Sequence, residues 1–193
     1  MPSLPVRILA IAVLGALSLL AGTMDAPAAS RTAAAADPLP APSATVVPLA
    51  TSNSSTSYEK QVLALINKAR STKRKCGSKT YAKAKALKWN SKLALAAERH
   101  SADMSNRNYF SHTAKNGKSA GSRIKATGYK YKAMGETLAA GYATPESVVK
   151  AWLKSAGHCK ILMSKSYTQV GVGYHKGSGR YTHYITADFA KPK

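Results

Sequence analysis

Acidic side chains are scarce in this sequence. Only 8 Asp and Glu stand against 29 Lys and Arg, a formal net charge of +21. A field of that sign draws anionic polymers and anionic lipid headgroups rather than cationic partners. Long apolar runs are equally rare, and after residue 21 no stretch is apolar enough to span a bilayer, so no transmembrane helix is expected in the mature form. There are two cysteines, Cys76 and Cys159, too few and too far apart to favour metal ligation by thiolates. H-E-x-x-H is missing as well, which removes the usual helical zinc-protease arrangement, although separate loops can still assemble a metal site.

What is present begins with Arg7, followed by the uncharged run Ile8 to Ala21 and small residues that include Ala26-Pro27-Ala28. That order reads as a secretory signal peptide over residues 1–28, cut near Ala28 or Ala29; a retained signal would instead tether the chain to a surface. Residues 29–57 are mostly Ala, Pro, Ser and Thr without apolar periodicity, a composition that cannot offset its ordering entropy, and they read as a disordered linker. Residues 58–193 have the size and apolar content of one domain. Arg7 and Asp25 cancel, so the positive excess lies beyond the signal segment. The basic residues are spread along the chain without interleaved aromatics, which reads first as a solvated surface and second as a binding site. For an exported protein nucleic acid ranks last among anionic partners, and a monomer is expected. In an oxidising compartment Cys76 and Cys159 are expected to pair.

Within the domain, Thr56-Ser57-Tyr58-Glu59 has the spacing of a capping box, and Val62, Leu65, Ile66 and Ala69 recur at helical intervals. Thr72 to Lys88 has no sustained period and reads as a long loop pinned by the disulfide. Asn90 caps a second helix whose face holds Leu93, Ala96, Ala97, His100 and Met104, to about Arg107. A short helix starts near Ser119 and stops at Gly128. Met134 to Leu138 reads as extended, and Thr144-Pro145-Glu146 opens a helix that Gly157 is expected to end. Val170, Val172 and Tyr174 alternate with glycines, and Gly177-Ser178-Gly179 separates them from a second strand over Arg180 to Ala190. Helices early and strands late give an α+β domain with helices covering an antiparallel sheet.

Histidine is the natural starting point for chemistry. His100 shares the apolar face of its helix and reads as a hydrogen-bonded core residue. His112 follows Tyr109-Phe110-Ser111 in an irregular segment, and His158 follows Gly157 at an expected loop position. Glu136 is an acid in an otherwise apolar extended run, and an acid there needs a partner.

These segments together resemble the CAP superfamily of cysteine-rich secretory proteins, antigen 5 and plant pathogenesis-related proteins, and specifically its bacterial secreted SCP-like branch. The resemblance runs from about Val62 to Phe189. It is carried by Leu65-Ile66-Asn67-Lys68-Ala69-Arg70, His100-Ser101-Ala102-Asp103-Met104, Tyr109-Phe110-Ser111-His112, Gly135-Glu136-Thr137, Ala151-Trp152-Leu153-Lys154-Ser155-Ala156-Gly157-His158 and Val170-Gly171-Val172-Gly173-Tyr174. It implies a three-layer α-β-α sandwich whose central cleft is lined by His112, Glu136 and His158. Two positions depart from the family pattern: Thr137 stands in place of the usual Asn, and Ser155 in place of a second Glu, leaving one carboxylate where many members have two.

Two imidazoles and a carboxylate are a set that could hold Zn²⁺ or another divalent cation, with His112 and His158 as ligands, or Glu136 could orient a histidine. The first functional expectation is binding of an extracellular ligand: a lipid, an anionic envelope polymer or a protein. The alternatives are a metal- or histidine-dependent hydrolase, peptidase-like, and a non-catalytic scaffold. The hydrolase reading lacks a nucleophile, because Ser111 and Ser155 are only sequence neighbours of the histidines and Cys159 is consumed in the disulfide.

Overall fold

The computed structural model describes residues 53–193. The expected signal peptide, residues 1–28, and the expected linker up to residue 52 lie outside the described residues. Helix α1 spans Asn53–Arg70 and starts earlier than the capping-box spacing suggested. Once Tyr58 is fixed by stacking on Tyr174, at 4.1 Å between rings, adding further turns toward the N-terminus costs little. Glu59 consequently serves a different purpose from capping: its Oε1 accepts the Tyr174 backbone N–H at 3.2 Å.

The segment expected as a loop folds into a small hairpin of β1 (Arg74–Cys76) and β2 (Lys79–Tyr81), with Gly77 at φ +62° in its turn. Its ladder is a matter of backbone pairing over three residues per strand, too short for side-chain periodicity to register. The short strand β3 (Lys88–Trp89) follows. Then come helix α2 (Ser91–Asn106), capped by the Asn90 side chain as expected, and α3 (Ala120–Ala126), capped by Ser119. Strand β4 (Tyr131–Ala140) leads to α4 (Pro145–Lys154), which has a Thr144 capping box and Pro at its start.

Gly157 does not terminate that helix. The chain breaks at Ser155 and a further helix, α5 (Ala156–Met163), begins, so Gly157 and His158 lie in its first turn rather than in a loop. Cys159, Leu162 and Met163 form its buried side, a helical spacing too short to stand out after a glycine. Strands β5 (Gln169–Lys176) and β6 (His183–Pro192) complete the fold.

The sheet order is β3-β5-β6-β4. It is antiparallel except at the edge, where the two residues of β3 run parallel to β5. Alternation along the strands produces two faces. Val170, Val172, Ile185, Ala187 and Phe189 pack with Val62 and Ile66 of α1, Val148, Val149 and Trp152 of α4, and Leu162 of α5. The opposite face meets α2 and α3 through Leu93, Ala96, Ile124 and Ala190. Helices thus cover both faces of a mostly antiparallel sheet, the three-layer α+β arrangement.

Two features lock these layers. Cys76 of β1 is bonded to Cys159 of α5, with Cα atoms 5.5 Å apart. Gly171 and Gly173 of β5 let α2 lie directly on the strand, because a Cβ at Gly171 would stand 1.9 Å from the Ala94 nitrogen and one at Gly173 2.1 Å from the Glu98 nitrogen. Both obstacles are helix backbone and cannot rotate away. Gly173→Ala is therefore expected to destabilise the domain by about 3 kcal/mol or more; urea unfolding measures it, and a loss below about 1 kcal/mol would contradict the close approach.

Candidate functional site

The site begins where α2 stops. Arg107 closes the helix and Asn108 takes a left-handed φ of 50°, which redirects the chain into the segment carrying His112. His100 is wholly buried on α2, and its Nε2 lies 2.9 Å from the Ser111 carbonyl, to which it donates. Burial, more than the nearby Arg123 charge, lowers its pKa and keeps it neutral. Its structural role is to anchor the residue next to His112.

His112 is exposed over 58% of its side chain, while Glu136, 2.6 Å from its Nδ1, is buried. Glu136 sits on β4 with its second oxygen, Oε2, paired to the Arg123 guanidinium of α3. Arg123 also donates to the His112 carbonyl at 2.9 Å and to the Lys118 carbonyl at 3.0 Å. A carboxylate paired in this way only accepts, so the neutral ring of His112 carries its hydrogen on Nδ1 and presents Nε2 as the acceptor.

Directly across the sheet from Glu136 is Asp188 of β6, fully buried, with no hydrogen-bond donor to either oxygen among the described residues. Burial first, and the neighbouring Glu136 second, raise its pKa well above the ordinary value of 3.8, against the lowering effect of Arg123. Two carboxyl groups therefore stand close together in a dry place with one guanidinium between them, and that crowding disfavours ionising both. Sequence reasoning missed Arg123 and Asp188. Asp188 stands in the alternating β6 pattern at a position that faces α2, and a lone acid after Tyr184-Ile185-Thr186-Ala187 was the available signal.

The third expected residue, His158, lies on α5 at the wall of a separate hollow of about 370 Å³, with Phe110, Leu138, Tyr142, Trp152, Ser155 and Tyr181. Burial first, and His112 second, lower its pKa. Phe110 and Tyr181 meet edge to face with centroids 6.0 Å apart. Of the four large hydrophobic side chains exposed among the described residues, Phe110, Tyr142 and Tyr181 all border this hollow. At the two departures from the family pattern, Ser155 borders the hollow and Thr137 is buried with its hydroxyl unpaired among the described residues.

Glu136 has both oxygens engaged and is no spare metal ligand. Among the described residues no group of three His, Cys, Asp or Glu is placed to hold a cation. Two imidazoles remain, short of the three protein ligands of an open zinc site. Nor does any hydroxyl or thiol among the described residues hydrogen-bond to the ring of His112 or His158.

The profile of the Cysteine-rich secretory protein family, CAP, matches residues 63–189. The chain belongs to the CAP family. Its CAP domain is similar to the uncharacterized protein YkwD of Bacillus subtilis, 37% identical over 130 residues that make up 67% of this chain and 47% of YkwD. Among solved structures it resembles an extracellular SCP-domain protein of Bacillus anthracis, with a TM-score of 0.59 and 28% identity over 71% of this chain and 41% of that one. An outer surface protein of Borrelia burgdorferi shares the fold at a TM-score of 0.57 and 20% identity, over 69% of this chain and 92% of that one. The chain thus spans less than half the length of YkwD. No helix among the described residues is long and apolar enough to cross a membrane.

The buried charges of this CAP domain yield two expectations. Glu136→Gln leaves the Arg123 guanidinium buried without its counter-charge and should cost about 3 kcal/mol or more of unfolding free energy. Asp188→Asn replaces one neutral group by another and should be tolerated at pH 4. Because the native Asp188 pKa lies above the unfolded one, the native chain retains a proton that the unfolded chain has released. Its contribution is complete below pH 3.8 and declines as pH rises through the native value. Urea titrations at pH 4, 6 and 8 should show wild type losing stability relative to Asp188→Asn as pH increases; parallel curves would refute a protonated Asp188.

Proposed function

We propose that this is an exported CAP-domain protein whose aromatic-bordered hollow at His158, with the Glu136-oriented His112 as a second exposed imidazole, binds an extracellular ligand. The observation that carries the reading is the gathering of exposed Phe110, Tyr142 and Tyr181 around the hollow that contains His158. Exposed aromatics collected at one concavity mark a binding site, whereas scattered ones need no explanation. The ligand class is one with apolar or ring-shaped surface and an acceptor or donor for imidazole: a lipid, an envelope polymer or a protein side chain. His112 offers a ring nitrogen in a fixed tautomer, and the aromatic border offers contact area at low entropic cost.

A scaffold reading is favoured by one observation, the bracing of His112 and Lys118 carbonyls by Arg123. A satisfied network of that kind rigidifies the cleft walls whether or not anything binds there. Divalent cation binding belongs to the proposal only through His112 and His158.

The decisive comparison sets wild type against His112→Ala/His158→Ala and Phe110→Ala/Tyr181→Ala on a panel of a fluorescent fatty acid, a sterol and purified cell-wall polymer, with Zn²⁺ titrated separately. Binding of one panel member should weaken about tenfold or more in both double variants, with melting temperatures unchanged. Any Zn²⁺ heat should disappear in the histidine variant alone. Identical behaviour of all three proteins would leave the scaffold reading standing, and a hydrolytic signal lost only with the histidines would move the protein among the enzymes.

A further inference from the structure

A second concavity lies away from the hollow at His158, and the two share no lining residue. It encloses about 920 Å³ and is bordered by Lys83, Lys85 and Lys88 on one side and Lys165 and Tyr167 on the other, with Arg70 at its base. No Asp or Glu lines it. The three lysines on the first wall come from the stretch between Thr72 and Lys88, which is rich in basic residues and holds no acid. Along the sequence that stretch reads as a solvated surface; in the fold its last third joins Lys165 around a hollow.

Arg70 makes the hollow a built feature. Only 1% of the residue is exposed, and it enters no ion pair among the described residues. Its Nε donates to the Lys85 carbonyl at 2.9 Å, and its Nη1 to the carbonyls of Leu162, at 2.5 Å, and Ser164, at 2.9 Å. The guanidinium therefore ties both walls together while its charge is met by carbonyl dipoles alone. Asn67, one turn earlier on α1, fixes the same wall by exchanging two hydrogen bonds with the Leu87 backbone. The buried guanidinium, held by carbonyls and with no acid beside it, adds to the positive field of the four lysines bordering the hollow.

We propose that this hollow binds a linear, non-nucleotide polyanion, a chain carrying closely spaced phosphate groups such as a polyol phosphate. Four exposed lysines whose flexible side chains border one concavity can swing their ammonium groups onto successive phosphates of a chain, with affinity from counter-ion release. A flat membrane surface cannot reach into a hollow. A single-stranded nucleic acid would call for an aromatic platform on which bases stack, and the one ring lining this hollow is occupied: the Tyr167 hydroxyl donates to the Met134 carbonyl at 3.1 Å, and its ring lies tilted against Phe189.

The test uses the purified chain and sodium polyphosphate of defined length, with oligo-dT and phosphatidylglycerol vesicles as comparators. Lys83→Gln/Lys85→Gln/Lys165→Gln is set against Lys130→Gln/Lys132→Gln/Lys193→Gln, which removes the same charge from exposed positions outside the hollow. The first triple should weaken polyphosphate binding about tenfold or more and lower the salt dependence by roughly two to three ions, the second by about twofold at most. Lys→Arg at the first three positions should restore binding, which shows that charge and not folding was lost, and His112→Ala/His158→Ala should bind polyphosphate as wild type does. Equal losses in the two triples would mean an undirected field and overturn the proposal. So would failure of wild type to bind, or a loss confined to oligo-dT or the vesicles.

Discussion

Between α3 and β4 one guanidinium holds together three parts of the chain that are remote in sequence. Arg123 compensates Glu136, and its remaining donors take the carbonyls of His112 and Lys118. The exposed histidine is thereby positioned from beneath, at its ring through Glu136 and at its backbone directly. Two carboxyl groups face this single cation, since Asp188 lies opposite Glu136 in the sheet. One cation balances one carboxylate, and burial beside Glu136 pushes the pKa of the second carboxyl well above the ordinary range. The reactivity of the His112 ring thus depends on a charge balance set inside the core.

The helices with strong start signals were legible. Asn90, Ser119 and Thr144 each satisfy the backbone donors that their sequence positions suggested, and the alternation of Val170 and Val172 with glycines announced a strand. What escaped was local structure without its own period. The β1–β2 hairpin is held by backbone pairing and a covalent link, and α5 is one short run entered through a glycine. For the site, His112, Glu136 and His158 were singled out individually and by resemblance, whereas Arg123 and Asp188 were not. An arginine in a short surface helix looks like any solvated cation until the fold brings a carboxylate and two carbonyls around it. Nothing along the chain signalled that Glu136 would be consumed by that arginine, which is why a three-ligand metal set looked available.

The basic character of the chain acquires a direction in three dimensions. Most lysines extend into solvent, and some lie over aromatic rings, as Lys60 does over Trp89 and Lys115 over Tyr109. At Lys83, Lys85, Lys88 and Lys165, by contrast, side chains from two segments border one hollow above a buried arginine. The same +21 charge therefore includes a diffuse part, which sets solubility and long-range attraction, and a local part with shape.

The bond between Cys76 and Cys159, 83 apart in sequence, closes the chain between them into a covalent ring that contains α2, α3, β4 and α4 complete. His112, Arg123, Glu136 and His158 all belong to that ring, whereas β5 and β6 hang from it as a tail. A protease that nicks the exposed stretch around Ser111 to Lys118 would open the ring without severing the molecule, and the cut ends would stay tethered through sulfur. After a single scission there, the α2 side and the α3–β4–α4 side of the ring remain one covalent molecule.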